Sequence, residues 1–385
     1  MPWIHLHVSQ QGKTNACCVS QINYGNINDQ GLKEIWEGEK IKAVRKSFLS
    51  GAPDKRCFNC IQREAAGAKS LRQETFEKFP DVEVKNEKAP LPIYFDIRFS
   101  NVCNFRCRTC WHGASSRWFQ DAKLLGTHVA EKAVITNVDD FDSFISKFGE
   151  ALLHAEEFYF AGGEPLVTEQ HYLLLEWLIE HGATGARLRY NTNFSKLTYK
   201  DRDVLDLWSH FTFVEVMASV DASEELGEYI RKEFDWSVFL QNRDLIRSQK
   251  HIQFKLSPTV SILNVLHLPD LYQQALALKL IKTEELYLNI LEFPGHYNIQ
   301  ILPAAQKEKV LQRYFKFFNW CDQNDIPINI KKGFQDIISY MSQPTANGGK
   351  NQKFLWTKFL EVTGRLDDIR AKKNKALQLF LANED

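Results

Sequence analysis

From Ile93 to about residue 300, short β-branched and aromatic stretches alternate with longer segments whose apolar residues recur at helical spacing. This alternation restricts the fold more than anything else in the chain. The strand candidates are Ile93–Phe99, Glu156–Phe160, Arg187–Asn191, Phe213–Val220, Ile252–Val260 and Glu285–Leu291. Between them lie helical patterns such as Phe141, Ile145, Phe148 and Leu152, and the run His171–Ile179, which Gly182 closes. Strands separated by helices imply βα units and a parallel sheet, because parallel neighbours need a long crossover. Six units suffice for an open, partial (β/α)6 TIM-like barrel, so the expected class is α/β. Reactive groups in such folds gather at the carboxyl ends of the strands.

The flanks have a different texture. Residues 1–64 are rich in turns and offer one amphipathic helix (Leu32, Ile35, Trp36, Ile41, Val44, Phe48). That is too little apolar material for a core without a staple such as a metal, so a small auxiliary domain is expected here. Residues 65–92 are polar and end in Ala89-Pro90-Leu91-Pro92, which predicts an extended linker, entered through a helix over residues 63–67. The barrel is expected over 93–300 and a helical extension over 301–385. In the extension one helix carries Leu311, Phe315, Phe318 and Trp320, a loop falls at Asn347-Gly348-Gly349, and another helix carries Leu355, Phe359, Val362, Leu366 and Ile369.

Lys plus Arg and Asp plus Glu each total 48 among 385 residues, so no global field draws the chain to nucleic acid or an anionic membrane, and neither partner is expected. No apolar run is long enough for a bilayer, and the start, Met1 to His7, lacks the basic and apolar regions of a secretory signal. The expected address is cytoplasmic. In that reducing compartment clustered cysteines read as metal ligands rather than disulfides, and seven of the eight fall within the first 110 residues.

Cys103, Cys107 and Cys110 stand at spacing C-x3-C-x2-C directly after the first barrel strand. Thiolates are preferred ligands of iron–sulfur clusters; three of them satisfy three irons of a 4Fe-4S cube and leave the fourth open to a substrate or cofactor. The alternative is zinc closed by a fourth ligand such as His112, although zinc commonly takes thiolates as C-x2-C pairs. After the second strand, Gly162 and Gly163 let the backbone approach a ligand closely, and Glu164 can accept from an ammonium; an ordinary βα turn would read the same way. The fourth strand ends in Ser219-Val220-Asp221, a hydroxyl and a carboxylate suited to a diol.

In this order and placement the elements resemble the radical S-adenosylmethionine superfamily. The resemblance implies that Cys103, Cys107 and Cys110 hold a catalytic 4Fe-4S cluster whose open iron is chelated by the methionine end of S-adenosylmethionine. Reductive cleavage would then give a 5'-deoxyadenosyl radical that takes hydrogen from a substrate. Gly162, Gly163 and Glu164 match the family's Gly-Gly-Glu-Pro motif, which faces the methionine ammonium. Asn191-Thr192-Asn193 is similar to its Thr-Asn-Gly turn, with Phe194 in the glycine place. Ser219 and Asp221 match the Ser-x-Asp element that holds the ribose, and Arg231 stands where an arginine pairs with the methionine carboxylate; the alternative for Arg231 is a surface residue beside Glu228. Thr259, Ser261 and Asn264 resemble contacts to adenine and methionine. The chain departs from the pattern at Thr109, where the family has an aromatic residue near the adenine; Phe105 and Trp111 are the substitutes at hand.

Trp3, Gly12, Cys17-Cys18, Gly25-Asn26-Ile27, the helix through Trp36 and Arg45, and Cys57-Phe58-Asn59-Cys60 resemble one half of the SPASM or twitch extension, which in relatives usually follows the barrel. This implies that Cys17, Cys18, Cys57 and Cys60 support one auxiliary iron–sulfur cluster, expected as 4Fe-4S. Neighbouring side chains of an extended segment point to opposite faces, so one of Cys17 and Cys18 is the expected ligand; structural zinc is the alternative. Cys321 reads as a small hydrophobe. The histidines are scattered, though His5 and His7 can face one side of a strand, and the run Arg370 to Lys375 reads as a solvated helix face. The implied partners are S-adenosylmethionine, a flavodoxin or ferredoxin as electron donor, and a substrate, with a lean towards a ribosomally made peptide. The competing readings are a radical dehydrogenase of sugars or alcohols and a non-enzymatic zinc or iron–sulfur scaffold.

Overall fold

The computed structural model describes residues 1–65, 69–84, 86–127, 129–345 and 348–382. The chain is mixed α/β and divides into two compact units: Met1–Val102 with Val134–Tyr190 and Thr198–Val214, and Cys103–Ala133 with Asn191–Leu197 and Glu215–Asp385.

In the first unit the strands are β1 (His5–Val8), β2 (Lys13–Asn15), β3 (Gly25–Asn26), β4 (Tyr94–Ile97), β5 (Glu157–Phe160) and β6 (Arg187–Thr192), in the order β3-β2-β1-β4-β5-β6. β1, β4, β5 and β6 run parallel; β2 and β3 add antiparallel. The last three parallel strands fall on the first three strand candidates. β1 is absent from those candidates because its alternation of polar and apolar residues lasts only from His5 to Val8, too short a signal against the turn-rich segment around it.

The period of two along each strand sorts the residues of this sheet into two faces. One face is apolar: Leu6, Phe95, Phe158 and Leu188 lie in register, as do Val8, Ile97, Phe160 and Tyr190. The helix Glu169–Glu180 covers it through His171, whose Nε2 lies 2.9 Å from the Tyr190 hydroxyl and whose ring meets Phe160 edge-on. The other face is polar: His5, Tyr94, Glu157 and Arg187 form one row, and His7, Asp96, Tyr159 and Arg189 the next.

The single amphipathic helix expected between the cysteine pairs is two helices, Leu32–Trp36 and Glu39–Leu49. The break falls at Gly38, where a Cβ would stand 2.8 Å from the Glu34 carbonyl oxygen; glycine also has low helix propensity. Arg45 then fastens the second helix, donating to the carbonyls of Pro2 (2.8 Å) and Trp36 (3.0 Å) from a buried position over the Trp36 ring. The helix expected over 63–67 coincides in part with Phe58–Ala65; Ala66 and Gly67 lie outside the described residues.

In the second unit Val214–Ala218 and Ile252–Leu256 are sheet neighbours. The candidate Ile252–Val260 is two strands, because Pro258 has no N–H for a ladder; Thr259–Val260 instead pairs in parallel with Asn289–Ile290. From Ala304 four helices follow: Ala304–Gln323, Ile328–Ser342, Gly348–Arg370 and Lys375–Leu381. Asn347 of the expected loop lies outside the described residues, and Gly348 already begins a helix. Cys321 is buried in the first of these helices. The basic run is not a solvated helix face. The helix ends at Arg370, Ala371 takes a positive φ of 47°, and Arg370 and Asn374 are buried, Asn374 capping the next helix by accepting from the Leu377 N–H at 3.0 Å. Arg370 can be buried because Asp121 neutralises it. No helix among the described residues is long and apolar enough to cross a membrane.

Candidate functional site

The three-cysteine loop lies in the second unit and is anchored at both ends. The Cys103 N–H donates to Ser116 Oγ (3.4 Å), Ser115 Oγ donates to the Phe105 carbonyl (2.7 Å), and the Cys110 N–H donates to the Cys107 carbonyl (3.0 Å). Arg106–Cys107 forms a short antiparallel ladder with Arg231–Lys232, placing Arg231 opposite Cys107. Burial pushes the Cys110 thiol up to about 12 and raises Cys107 too, with Arg231 working against the rise at both. Of the two aromatic residues near Thr109, Phe105 is buried edge-on to Phe234, whereas Trp111 is 56% exposed.

Arg231 is buried, not a surface residue. Its Nη1 donates to the Cys107 sulfur at 3.5 Å, its Nη2 donates to Asp221 Oδ1 at 3.1 Å, and its Nε lies 2.9 Å from Asp221 Oδ2. Burial alone would lower the guanidinium pKa, but Asp221 outweighs it and holds it above the usual value. Asp221 also accepts from the Thr259 N–H (2.8 Å), and Asn264 Nδ2 donates to the Asp221 carbonyl (2.9 Å) while Asn264 Oδ1 accepts from the Ser261 N–H (2.8 Å). Ser219 is tied in by its N–H, which donates to the Thr192 carbonyl at 2.8 Å. Asn193 donates to Asn104 Oδ1 at 2.8 Å, and Phe194 takes a positive φ of 53°, the conformation a glycine adopts without strain. Thus Cys103, Cys107, Cys110, Asn193, Ser219, Asp221, Arg231, Thr259, Ser261 and Asn264 share one unit, and Cys107, Arg231, Asp221, Thr259 and Asn264 form one connected chain of contacts.

Gly162, Gly163 and Glu164 belong to the first unit. Both glycines have positive φ, 80° and 55°, and a Cβ on Gly163 would overlap the Val102 carbonyl oxygen. That carbonyl accepts from the Glu164 N–H at 2.8 Å, and the buried Glu164 carboxylate caps the following turn by accepting from the Leu166 N–H at 3.0 Å.

The amino-terminal cysteines are also in the first unit. Cys17, Cys57 and Cys60 line one cavity together with Phe48, Arg56 and Arg72. Cys57 and Cys60 are three apart at the start of the helix Phe58–Ala65, so they share a side of it. Cys17 is buried, and burial pushes its thiol up to about 12; Cys18 is exposed and does not line the cavity. Among the described residues no three His, Cys, Asp or Glu side chains stand together closely enough to hold a metal ion.

Two groups of polar residues lie largely beyond sequence reasoning, which places only His5 and His7 on one side of a strand, as β1 does. On the polar sheet face His7 Nδ1 lies 2.9 Å from Asp96 Oδ2, and Arg98 Nε lies 3.5 Å from Oδ1. Burial alone would raise the Asp96 carboxyl, but His7 and then Arg98 hold it below the usual carboxylate range. The buried His5 ring stacks on Tyr94 at 4.1 Å, and burial lowers its pKa to about 3. In the second unit, Arg106, Arg108 and Asp121 are joined to Asp367 and Arg370. The only signal for the first group is the His-Leu-His-Val alternation; for the second, pairs some 250 residues apart leave none.

Residues 1–61 match the family model described as SPASM, an iron–sulfur cluster-binding domain, and all four amino-terminal cysteines lie inside the match. No curated protein matches. Among solved structures, "Native anSMEcpe with bound AdoMet" is 18% identical with a TM-score of 0.41, covering 61% of this chain and 62% of that one. "Native anSMEcpe with bound AdoMet and Cp18Cys peptide" is 18% identical with a TM-score of 0.41, covering 60% and 61%. "Structure of TYW1 with a lysine-pyruvate adduct bound" is 14% identical with a TM-score of 0.29, covering 59% and 70%. The chain thus spans about three-fifths of the length of the first two. Its amino-terminal segment is similar to the SPASM iron–sulfur cluster-binding domain.

Proposed function

We propose that this chain is a radical S-adenosylmethionine enzyme, with Cys103, Cys107 and Cys110 holding a catalytic 4Fe-4S cluster and Cys17, Cys57 and Cys60 holding an auxiliary one. The observation that carries the reading is the buried Arg231, which touches the Cys107 sulfur on one side and Asp221 on the other. It brings together elements that sequence alone separates by more than a hundred residues. The donor set fits the catalytic cluster by its chemistry: three thiols on one backbone-anchored loop, with a guanidinium to offset the thiolate charge. When bound, the cluster supplies the electron that cleaves S-adenosylmethionine and releases a 5'-deoxyadenosyl radical.

The chain's own residues bind and orient. Arg231 offers its fork to the methionine carboxylate, exchanging part of its contact with Asp221. Asp221 and Ser219 take the ribose hydroxyls and Asn193 and Asn264 present amides; for Gly162, Gly163 and Glu164 of the first unit, the motif alone supports a role in accepting an ammonium. The residue 93–300 part acts as a partial (β/α)6 barrel, residues 1–64 as the auxiliary segment, whose β1–β3 extend the barrel's sheet rather than standing apart, residues 65–92 as a connection that carries the helix Leu71–Lys78 and is not extended throughout, and residues 301–385 as a helical extension. The substrate class proposed is a peptide, the electron donor a flavodoxin or ferredoxin, and the compartment the cytoplasm. The SPASM-type segment supports the auxiliary cluster.

Anaerobic reconstitution tests the reading. About seven to eight irons per chain are expected if both sites carry cubes, with 5'-deoxyadenosine released on adding dithionite and S-adenosylmethionine. A zinc-loaded chain that releases none would overturn it.

A further inference from the structure

The helix Gly348–Arg370 has no role in the chemistry proposed above, yet its last two turns lie against the cysteine loop within the second unit. Leu366 forms an apolar cluster with Trp118 and Ala122, and Cys110 and Val362 pack against that cluster. Val362, Leu366 and Arg370 are four residues apart and Thr363 and Asp367 run beside them, so they make one face of the helix.

Two ion pairs flank the apolar contact. Arg108 Nη2 lies 2.6 Å from Asp367 Oδ1, and the Tyr229 hydroxyl donates to the same oxygen at 2.8 Å. Arg108 also sits 3.8 Å over the Tyr229 ring and donates to the Tyr229 carbonyl at 3.1 Å, with only 1% of its side chain exposed. On the other side Arg370 donates from Nε and Nη2 to Asp121 Oδ2 at 3.0 and 2.8 Å, while Arg106 donates to Asp121 Oδ1 at 3.0 Å. Arg370 lies 5.4 Å over the Trp118 ring, and the Trp118 indole N–H donates to the Cys107 carbonyl at 2.5 Å. Residues 106, 107, 108 and 110 are therefore each held by this helix, directly or through one side chain.

A charge buried this deeply is tolerated only when its partner is fixed. With both pairs on the same helix face, the loop backbone between Arg106 and Cys110 is set by the position of the helix. We infer that Asp367 and Arg370 are positioning residues for the cysteine loop, fixing where Cys107 and Cys110 present their sulfurs and closing the rear of the loop to water. The inference deepens the radical S-adenosylmethionine reading and rests on it for the identity of the bound cluster. The two residues touch neither cofactor nor substrate and act through Arg108, Asp121 and Trp118.

The test uses the full chain carrying Asp367→Asn, Arg370→Lys, Leu366→Ala or, as a same-helix control, the exposed Leu360→Ala. The asparagine can still accept from Arg108 and Tyr229, and the lysine keeps the charge but not the fork, so both variants should fold; circular dichroism checks this. In the reconstituted protein, iron release to a chelator should be several-fold faster in Asp367→Asn, Arg370→Lys and Leu366→Ala than in wild type. The electron paramagnetic resonance change on adding S-adenosylmethionine to the reduced protein should broaden. In the unreconstituted protein, alkylation of Cys110 by iodoacetamide, read by mass spectrometry, should also be several-fold faster. The control should match wild type in all three. Wild-type chelation, spectrum and alkylation in all three variants would overturn the inference. A wild-type protein with no S-adenosylmethionine-dependent spectrum would overturn the enzyme reading instead, and the alkylation rates would still decide the role of the helix.

Discussion

Replacing Asp221 by alanine strands the Arg231 guanidinium. In the structure that group is ion-paired at 2.9 Å, with side-chain exposures of 9% for Arg231 and 0% for Asp221, so solvent offers little screening. Breaking a pair buried to this degree costs about 3–5 kcal/mol, because the remaining charge stays desolvated. The Thr259 N–H also loses its 2.8 Å acceptor, worth about 1–3 kcal/mol on its own; the two losses overlap, and a net of about 4 kcal/mol is expected. Asp221→Asn keeps an acceptor for Thr259 but still strands the guanidinium charge, so its cost should be only a little smaller than that of alanine. The paired change Asp221→Leu with Arg231→Met removes both charges and should recover most of the stability, since hydrophobic replacement of a buried pair is often neutral. Urea unfolding followed by circular dichroism gives the midpoints. If Asp221→Ala loses less than about 1 kcal/mol, or the double variant is no better than the single, the pair is not buried as described and the argument for Arg231 fails with it.

Three other outcomes follow from the geometry. His5 and His171 are buried neutral, with burial lowering both from 6.5 to about 3. Only the unfolded chain takes up their protons between those values, so stability is full above pH 6.5 and falls as the pH drops, by about 2 kcal/mol per histidine near pH 5; denaturation midpoints against pH should flatten in His5→Phe, and an unchanged slope would count against the buried neutral ring. Gly163→Ala should cost at least about 2 kcal/mol, combining left-handed strain with overlap on the Val102 carbonyl. Gly182→Ala carries a similar φ of 69° in open space and should cost about 1 kcal/mol; equal losses in thermal melts would refute the close approach. Cys17→Ser, Cys57→Ser and Cys60→Ser should each lose about four irons on reconstitution, whereas Cys18→Ser should keep them; iron retained in Cys17→Ser and lost in Cys18→Ser would reverse the assignment.

What the sequence makes legible is local. Tyr94–Ile97, Glu157–Phe160 and Arg187–Thr192 lie where period and composition put strands, and Gly163 and Phe194 take the left-handed conformations their motif positions require. Where a single residue decides, patterns mislead. Gly38 cuts an apolar stripe that would otherwise read as one helix, and Pro258 splits a β-rich run. Pairings across long separations, such as Arg108 with Asp367 and Asp121 with Arg370, leave no trace in one sequence because each partner alone looks like an ordinary surface charge. For the same reason a lysine- and arginine-rich run hid a buried arginine.

The ladder between β1 and β4 bears on how this protein can be shortened. A chain begun after residue 90 would leave unpaired the main-chain amides and carbonyls of Tyr94–Ile97 that face β1, while β5 still pairs the others, with Phe95 and Ile97 beside them. Such a margin is a template for another copy, and the trimmed protein should associate or precipitate more readily than the full chain. The opening residues therefore act as a guard strand, besides carrying the cysteines proposed to hold a cluster.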